Sequence, residues 1–365
     1  MMQPTAVIAS LANLVRGRDA QRPRPLVEWD ALVRVGRAAN LLGSIAASIA
    51  AADAWNAVPE GPRAHLDGAL KLALRQAVAV RWEASRIHES LKSLPERTVL
   101  LKGAAYLAEG FEFAAGRMFS DVDILVPDTQ IDHVEQVLAR HGWATTHLSP
   151  YDQVYYRRWM HEIPPMRHLE RGTVIDVHHR ILPRTARYDP DPARMLAAAR
   201  PSRKWPDIWV LSREDMVLHS ATHLFHEGEV HNGFRDLLDI DRLVGQFSGE
   251  AGFWSALTAR GSELGLSVPL RHVLQQAERL LGTAIPVAAR SALGLDRRAM
   301  RLNWLYGHGL RPLHPSCDRR GAVSARWLLY ARAHAMRMPP HLLAHHLGRK
   351  FWRRAFDLDD GEETQ

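Results

Sequence analysis

At 365 residues the chain is long enough to bury a sizeable core in two or three domains, and its 46% hydrophobic and 24% charged content is that of an ordinary soluble globular protein. One cysteine, Cys317, excludes an internal disulfide framework and fits a reducing, cytoplasmic setting. A net charge of +7 suits an anionic partner such as a nucleotide, RNA or an acidic membrane, but the excess is uneven: residues 319–354 hold nine Arg and Lys and no acid, and residues 357–363 are acidic.

Residues 1–95 read as helical throughout. The apolar stretch 6–15 has neither a basic region before it nor a clean small-residue cleavage site after it, which argues against a secretory signal. The longest uncharged stretch, 38–52, is too short to span a bilayer and reads as a buried helix. Segments 31–52 and 64–94 carry apolar residues at three- and four-residue spacing and predict helices, with Pro59 and Gly61-Pro62 as the turn between them. Trp29, Trp55 and Trp82 are expected as packing anchors, because no basic stripe interleaves with them.

Pro95-Glu96 hands over to a short apolar strand, 98–101, which stops at Lys102-Gly103 and passes into a helix-forming segment. Asp121-Val122-Asp123 then opens a second strand that continues through Val126. In an extended chain Asp121 and Asp123 share one face. Two adjacent carboxylates repel and resist desolvation unless a cation lies between them, so the pair points to a divalent metal such as Mg2+. A helix follows from about 127 and ends at Gly142, and segments 143–148, 153–159 and 166–169 alternate as strands do. After the hairpin turn Glu170-Arg171-Gly172, the β-branched run 173–179 carries one acid, Asp176, with His178 on the same face and His179 on the other. If this strand neighbours the acidic pair, Asp176 completes a three-carboxylate cluster. The pattern predicts a mixed sheet in the order β-α-β-α-β-β-β.

Beyond Leu182 the Pro- and Arg-rich run 183–206 is expected to be a linker with one short helix. Ser212 and Asp215 make a capping box for a helix running towards Gly228, and 234–244 predicts another. His219, His223 and His226 fall on one face of the first of these. That spacing can bind zinc, but the stronger expectation is a face over the cleft, shared with Arg235 and Asp239. Residues 341–356 predict a basic amphipathic helix, packed on its own domain or docked on an anionic partner.

Leu101-Lys102-Gly103, then Arg117, then the run from Asp121 to Val126, then Asp176 and His178 resemble the nucleotidyltransferase superfamily of the DNA polymerase β type. Within it the nearest likeness is to a poorly characterised bacterial group of nucleotidyltransferase family proteins. The resemblance implies an α+β fold: a polymerase β-like core at 96–182 with a mixed sheet, flanked by helical domains at 1–95 and 183–365, the latter ending in the basic helix and acidic tail. It implies a metal-dependent enzyme that moves a nucleoside monophosphate, with AMP from ATP expected first, to a hydroxyl by a two-metal mechanism. The alternative is an inactive module of the same fold that binds nucleotide or RNA. In the enzyme, Asp121, Asp123 and Asp176 would hold Mg2+, with Asp176 also a candidate base. Lys102, Gly103, Ala104, Arg117 and Ser120 would hold the triphosphate. A small molecule, a protein side chain and an RNA end all fit as acceptor.

Overall fold

The computed structural model describes residues 3–94, 97–146, 149–296 and 300–337. The handover at Pro95-Glu96, the basic helix expected at 341–356 and the acidic tail lie outside the described residues.

The N-terminal part is helical as its periodicity requires, with different breaks. Helices Pro4–Val15, Leu26–Ala38 and Leu42–Ala51 precede a 32-residue helix, Glu60–Leu91. One helix was expected over 31–52; there are two because Asn40 takes φ +55°, a left-handed conformation that Asn tolerates better than most residues. Gly61-Pro62, expected as a turn, lies inside the first turn of the long helix, where proline has no hydrogen bond to lose. Trp29 is fully buried, as an anchor should be, but Trp82 is 49% exposed, with Arg86 and Arg171 over its ring.

The sheet is assembled from seven short strands: β1 Val99–Leu100, β2 Val122–Leu125, β3 Trp143–Thr145, β4 Met166–His168, β5 Val174–His178, β6 Arg200–Pro201 and β7 Trp209–Val210. Their order is β3-β4-β5-β2-β1-β7-β6. β2 runs parallel to β5 and β1 parallel to β7, while the other neighbours are antiparallel, so the sheet is mixed and the fold α+β. All four residues of β2 are buried, as a central strand covered on both faces demands. The Glu60–Leu91 helix packs on β2 and on the helices Leu42–Ala51, Lys102–Glu109 and Ile131–Arg140.

Two expectations are corrected. Residues 153–159 are not a strand but part of a helix, Pro150–Trp159. Their tyrosines and valine suit strands, but Ser149-Pro150 is a helix-start signal, and Arg157 reaches back one turn to Gln153 and across to Glu135 (2.7 and 2.8 Å). The run 183–206 does carry a short helix, Pro192–Ala197, yet it is not simply a linker, because β6 within it pairs with β7 and extends the sheet past Leu182. Arg200 of β6 and the amide of Arg203 both donate to buried Glu109, which fastens this edge to the end of the Lys102–Glu109 helix.

The C-terminal helices Arg213–His226, Gly233–Phe247, Phe253–Glu263 and Ser267–Leu281 pack on one another. Tyr106 Oη lies 2.8 Å from Ser220 Oγ, tying them to the helix after β1. Among the described residues no helix is long and apolar enough to cross a membrane.

Gly43 and Gly116 bring two backbones together: a Cβ on Gly43 would stand 2.6 Å from the Gly116 carbonyl oxygen, and one on Gly116 would collide with the Gly43 carbonyl. Gly116 opens the segment that carries Arg117, Ser120 and Asp121. Gly116→Ala should therefore lower stability by about 1–3 kcal/mol, read as a lower urea midpoint. Gly68→Ala, in the long helix with nothing within 4 Å, should raise it by about 0.4–1 kcal/mol.

Candidate active site

The acids converge through strand register. In the parallel pair, Asp123 stands opposite Asp176 and Leu125 opposite His178. Residues opposite each other in a ladder face the same way, as do alternate residues along a strand. Asp121, Asp123, Asp176 and His178 therefore share one face at the middle of the sheet. They line a cavity of about 440 Å³ together with Lys102, Gly103, Arg117 and Ser120. Ala104, expected at the triphosphate, is not in the lining; its side chain is buried in the core.

The turn after β1 delivers the first cation. The Leu101 amide donates to the Asp123 carbonyl at 3.0 Å, so the chain enters the Lys102–Glu109 helix beside the acids. Lys102 has φ +44°, a region that costs a non-glycine residue about 1–3 kcal/mol. Its ammonium donates to Asp123 Oδ1 at 2.8 Å. Gly103 was expected to give the backbone access to phosphate; what the structure shows is a packing reason for it. A Cβ there would collide with Arg117 Nη1 and come within 3.0 Å of the Phe119 ring. Arg117 is in turn committed: its Nε donates to Asp239 Oδ2 at 2.9 Å. Ser120 Oγ donates to Asp121 Oδ1 at 3.0 Å.

Burial and mutual repulsion set the electrostatics. Burial, then the charges of Asp123 and Glu162, push the Asp176 carboxyl up to about 7. Burial and Asp123 also raise Asp121. Burial works against ionised Asp123 too, but the Lys102 ammonium and the His178 hydrogen bond outweigh it and hold Asp123 well below the ordinary carboxylate range. His178 is raised despite burial, because Asp123 accepts its hydrogen bond at 3.0 Å and Glu162 lies on its other side.

His161 and Glu162 also line the cavity, and the sequence reading missed them. They follow the Pro150–Trp159 helix and reach the site through a single antiparallel bridge, Glu162 to His178. Ile163 N donates to Val177 O at 3.1 Å and His179 N to His161 O at 3.0 Å. No periodic signal marks such a bridge; the only local cue is an adjacent His-Glu pair ahead of Pro164-Pro165. Of the three helix histidines, His223 and His226 line the cavity with Arg235 and Asp239, whereas His219 is buried outside the lining. The three do not form a metal-binding group among the described residues.

The carboxylates fit a hard divalent cation. Asp176 Oδ1 is buried and has no hydrogen-bond partner among the described residues, a costly state that a cation would relieve, and the Asp donors are oxygens of the kind Mg2+ takes. A larger hollow of about 880 Å³ lies between the N-terminal helices and Gly233–Phe247, but there Arg16 pairs with Asp241 and Arg242 donates to the Val15 carbonyl.

A family model described as an uncharacterised nucleotidyltransferase matches residues 25–282, well over half the chain. The chain belongs to that family. Comparison with curated proteins and with solved structures gives no match. Membership in the nucleotidyltransferase family carries nucleotidyl transfer as the general activity, a nucleotide as partner, an NTP as substrate and usually a divalent metal. The matched span covers the strands that hold the three aspartates, the bridge that brings in Glu162, and the helices over the cavity.

Two measurements follow from this geometry. Asp176 binds its proton more tightly in the folded chain (about 7) than in an unfolded one (about 4), so its stabilising contribution is complete below about pH 4 and disappears as pH rises to about 7. In metal-free urea titrations, the stability of wild type minus that of Asp176→Asn should fall over that window and stay flat above it. Asp239→Ala strands the Arg117 guanidinium in the interior and should cost about 3–5 kcal/mol in the same assay.

Proposed function

We propose that the chain transfers a nucleoside monophosphate, AMP from ATP, to a hydroxyl acceptor, releasing pyrophosphate, and that Asp121, Asp123 and Asp176 hold the divalent cations of a two-metal reaction. The observation that carries this reading is the register of β2 and β5, which sets Asp123 against Asp176 inside a cavity that also presents Lys102, Arg117 and Arg235. Bound Mg2+ would neutralise triphosphate charge and acidify the attacking hydroxyl.

The chain's own groups divide the remaining work. Lys102 and Arg117 sit where β- and γ-phosphate charge needs compensation, and the amides at the start of the Lys102–Glu109 helix favour anionic oxygens. Asp176, with a carboxyl near neutrality before any cation is bound, accepts the hydroxyl proton as oxygen attacks the α-phosphorus and the bond to the β-phosphate breaks. His223 and Arg235 bring the helices Arg213–His226 and Gly233–Phe247 into the lining, and there the acceptor would lie. On this reading residues 96–182 are the catalytic core, extended by the strands at 200–210, and the helical segments on either side frame it.

A second reading draws on the Lys102–Asp123 ion pair, which satisfies one metal-binding acid with a cation from the chain itself. Held permanently, that pair would make the domain a module that binds nucleotide or RNA without turnover.

ATP labelled at the α-phosphate or the γ-phosphate, incubated with protein, Mg2+ and a cell extract, separates the two. The transferase should pass α-label but not γ-label to an acceptor. Asp123→Asn and Asp176→Asn should each lower that transfer about a hundredfold or more, the scale of several kcal/mol at 1.4 kcal/mol per tenfold. Equal label from wild type and both variants would sink the enzymatic reading.

A further inference from the structure

We infer that His161, Glu162 and His178 form a second cation site, distinct in chemistry from the three aspartates, that takes a borderline transition-metal ion of the Zn2+ class. One ring nitrogen of each histidine and one Glu162 oxygen lie within 4.8 Å of one another. Glu162 Oε2 is 3.4 Å from His178 Nδ1 and 3.8 Å from His161 Nε2. The backbone bridge between Glu162 and His178 fixes the spacing, so the cluster does not rest on long, free side chains.

The decisive feature is His178. It is 3% exposed, and its Nε2 lies 3.0 Å from Asp123 Oδ1. With Nε2–H donating to that carboxylate, release of the second ring proton to solvent frees an Nδ1 lone pair for a metal ion. Nδ1 is buried without a hydrogen bond and faces the Glu162 carboxylate. An imidazole lone pair, a carboxylate oxygen and a second imidazole thus converge in a space sheltered from water. Donors packed in this way need positive charge between them, supplied by a proton on His178 in the metal-free chain and by the metal ion that displaces it.

The donor set selects the ion. Two imidazoles and one carboxylate suit Zn2+ and its neighbours in the first transition row, with coordination positions left open, whereas Mg2+ prefers oxygen alone. The Asp123–His178 hydrogen bond is the carboxylate-to-histidine support that metal-bound imidazoles usually have, since it fixes the ring and its tautomer. Asp123 thereby acts in two places. One oxygen positions His178, and the residue as a whole faces Asp176. An ion on the histidine side holds His178, and through it the orientation of Asp123.

The test needs no nucleotide, so its outcome is independent of the transfer reaction. The full chain is stripped of metal with a chelator and titrated with Zn2+ by calorimetry, and with Co2+ followed by its visible absorption, both in excess Mg2+. One Zn2+ per chain is expected. His161→Ala and Glu162→Gln should each weaken it by more than the roughly 10–100-fold that loss of a supporting partner costs. Asp176→Asn, outside the proposed ligand set, should weaken it by far less than either, through the loss of a nearby charge only. Circular dichroism and urea midpoints establish that each variant is folded, and Glu162→Gln, which keeps size and shape, serves if His161→Ala is not. The inference is overturned if folded wild type binds no Zn2+, or if affinity falls with Asp176→Asn while His161→Ala and Glu162→Gln leave it intact. Normal label transfer alongside either result would reject this site and leave the proposed reaction standing.

Discussion

Two carboxylates placed side by side on adjacent buried strands are the constraint around which the rest of this molecule is arranged. Parallel pairing of β2 with β5 puts Asp123 against Asp176, and Asp121 lies on the same face two residues before Asp123. Negative charge so concentrated, away from bulk water, must be answered by positive charge at short range. The chain does this from two directions at Asp123. Lys102 takes a left-handed backbone conformation at the end of β1 and reaches Asp123. His178, two residues after Asp176, reaches the same oxygen of Asp123 from the neighbouring strand. Asp176, by contrast, is left without such a partner: it keeps a bare buried oxygen, and its carboxyl is raised to about 7.

That arrangement explains why the helical segments close around the sheet. Gly103 has no side chain because Arg117 occupies the space, and Arg117 is held there by Asp239 of the Gly233–Phe247 helix. Tyr106 meets Ser220 one turn along the same surface. Glu109, at the far end of the short helix after β1, is clasped by Arg200 and the Arg203 amide from the sheet edge. Each contact pins the Lys102–Glu109 helix, and with it the turn that presents Lys102 to the acids. The cavity wall is thus continuous with a scaffold whose buried charges are paired, the condition under which a functional face stays preorganised.

The cavity also has two chemical characters. One group of lining residues is the aspartates, which suit hard cations and phosphate chemistry. The other group is His161, His178 and Glu162, and His223 and His226 also line the cavity. Burial depresses the basicity of His161, His223 and His226, so they stand as neutral imidazoles at ordinary pH. Asp123 joins the two groups: it accepts from Lys102 and His178 and stands opposite Asp176.

What could be read from the sequence was whatever depends on neighbouring residues in the chain. Alternation within a strand placed Asp121 with Asp123 and Asp176 with His178, because the side-chain period of an extended chain is a local property. Helical periodicity located most of the helices for the same reason, and Ser212 caps its helix through Asp215 as its spacing implied. It failed where two local signals competed, as at 153–159, and where strands of two residues, β6 and β7, were too short to carry a pattern. Which strands would be neighbours, and in which register, belonged to the tertiary structure alone. So did the Glu162 bridge, the Arg117–Asp239 pair and the collision that forbids a side chain at Gly103, because each joins residues whose proximity is decided by packing and leaves no periodic trace in the chain.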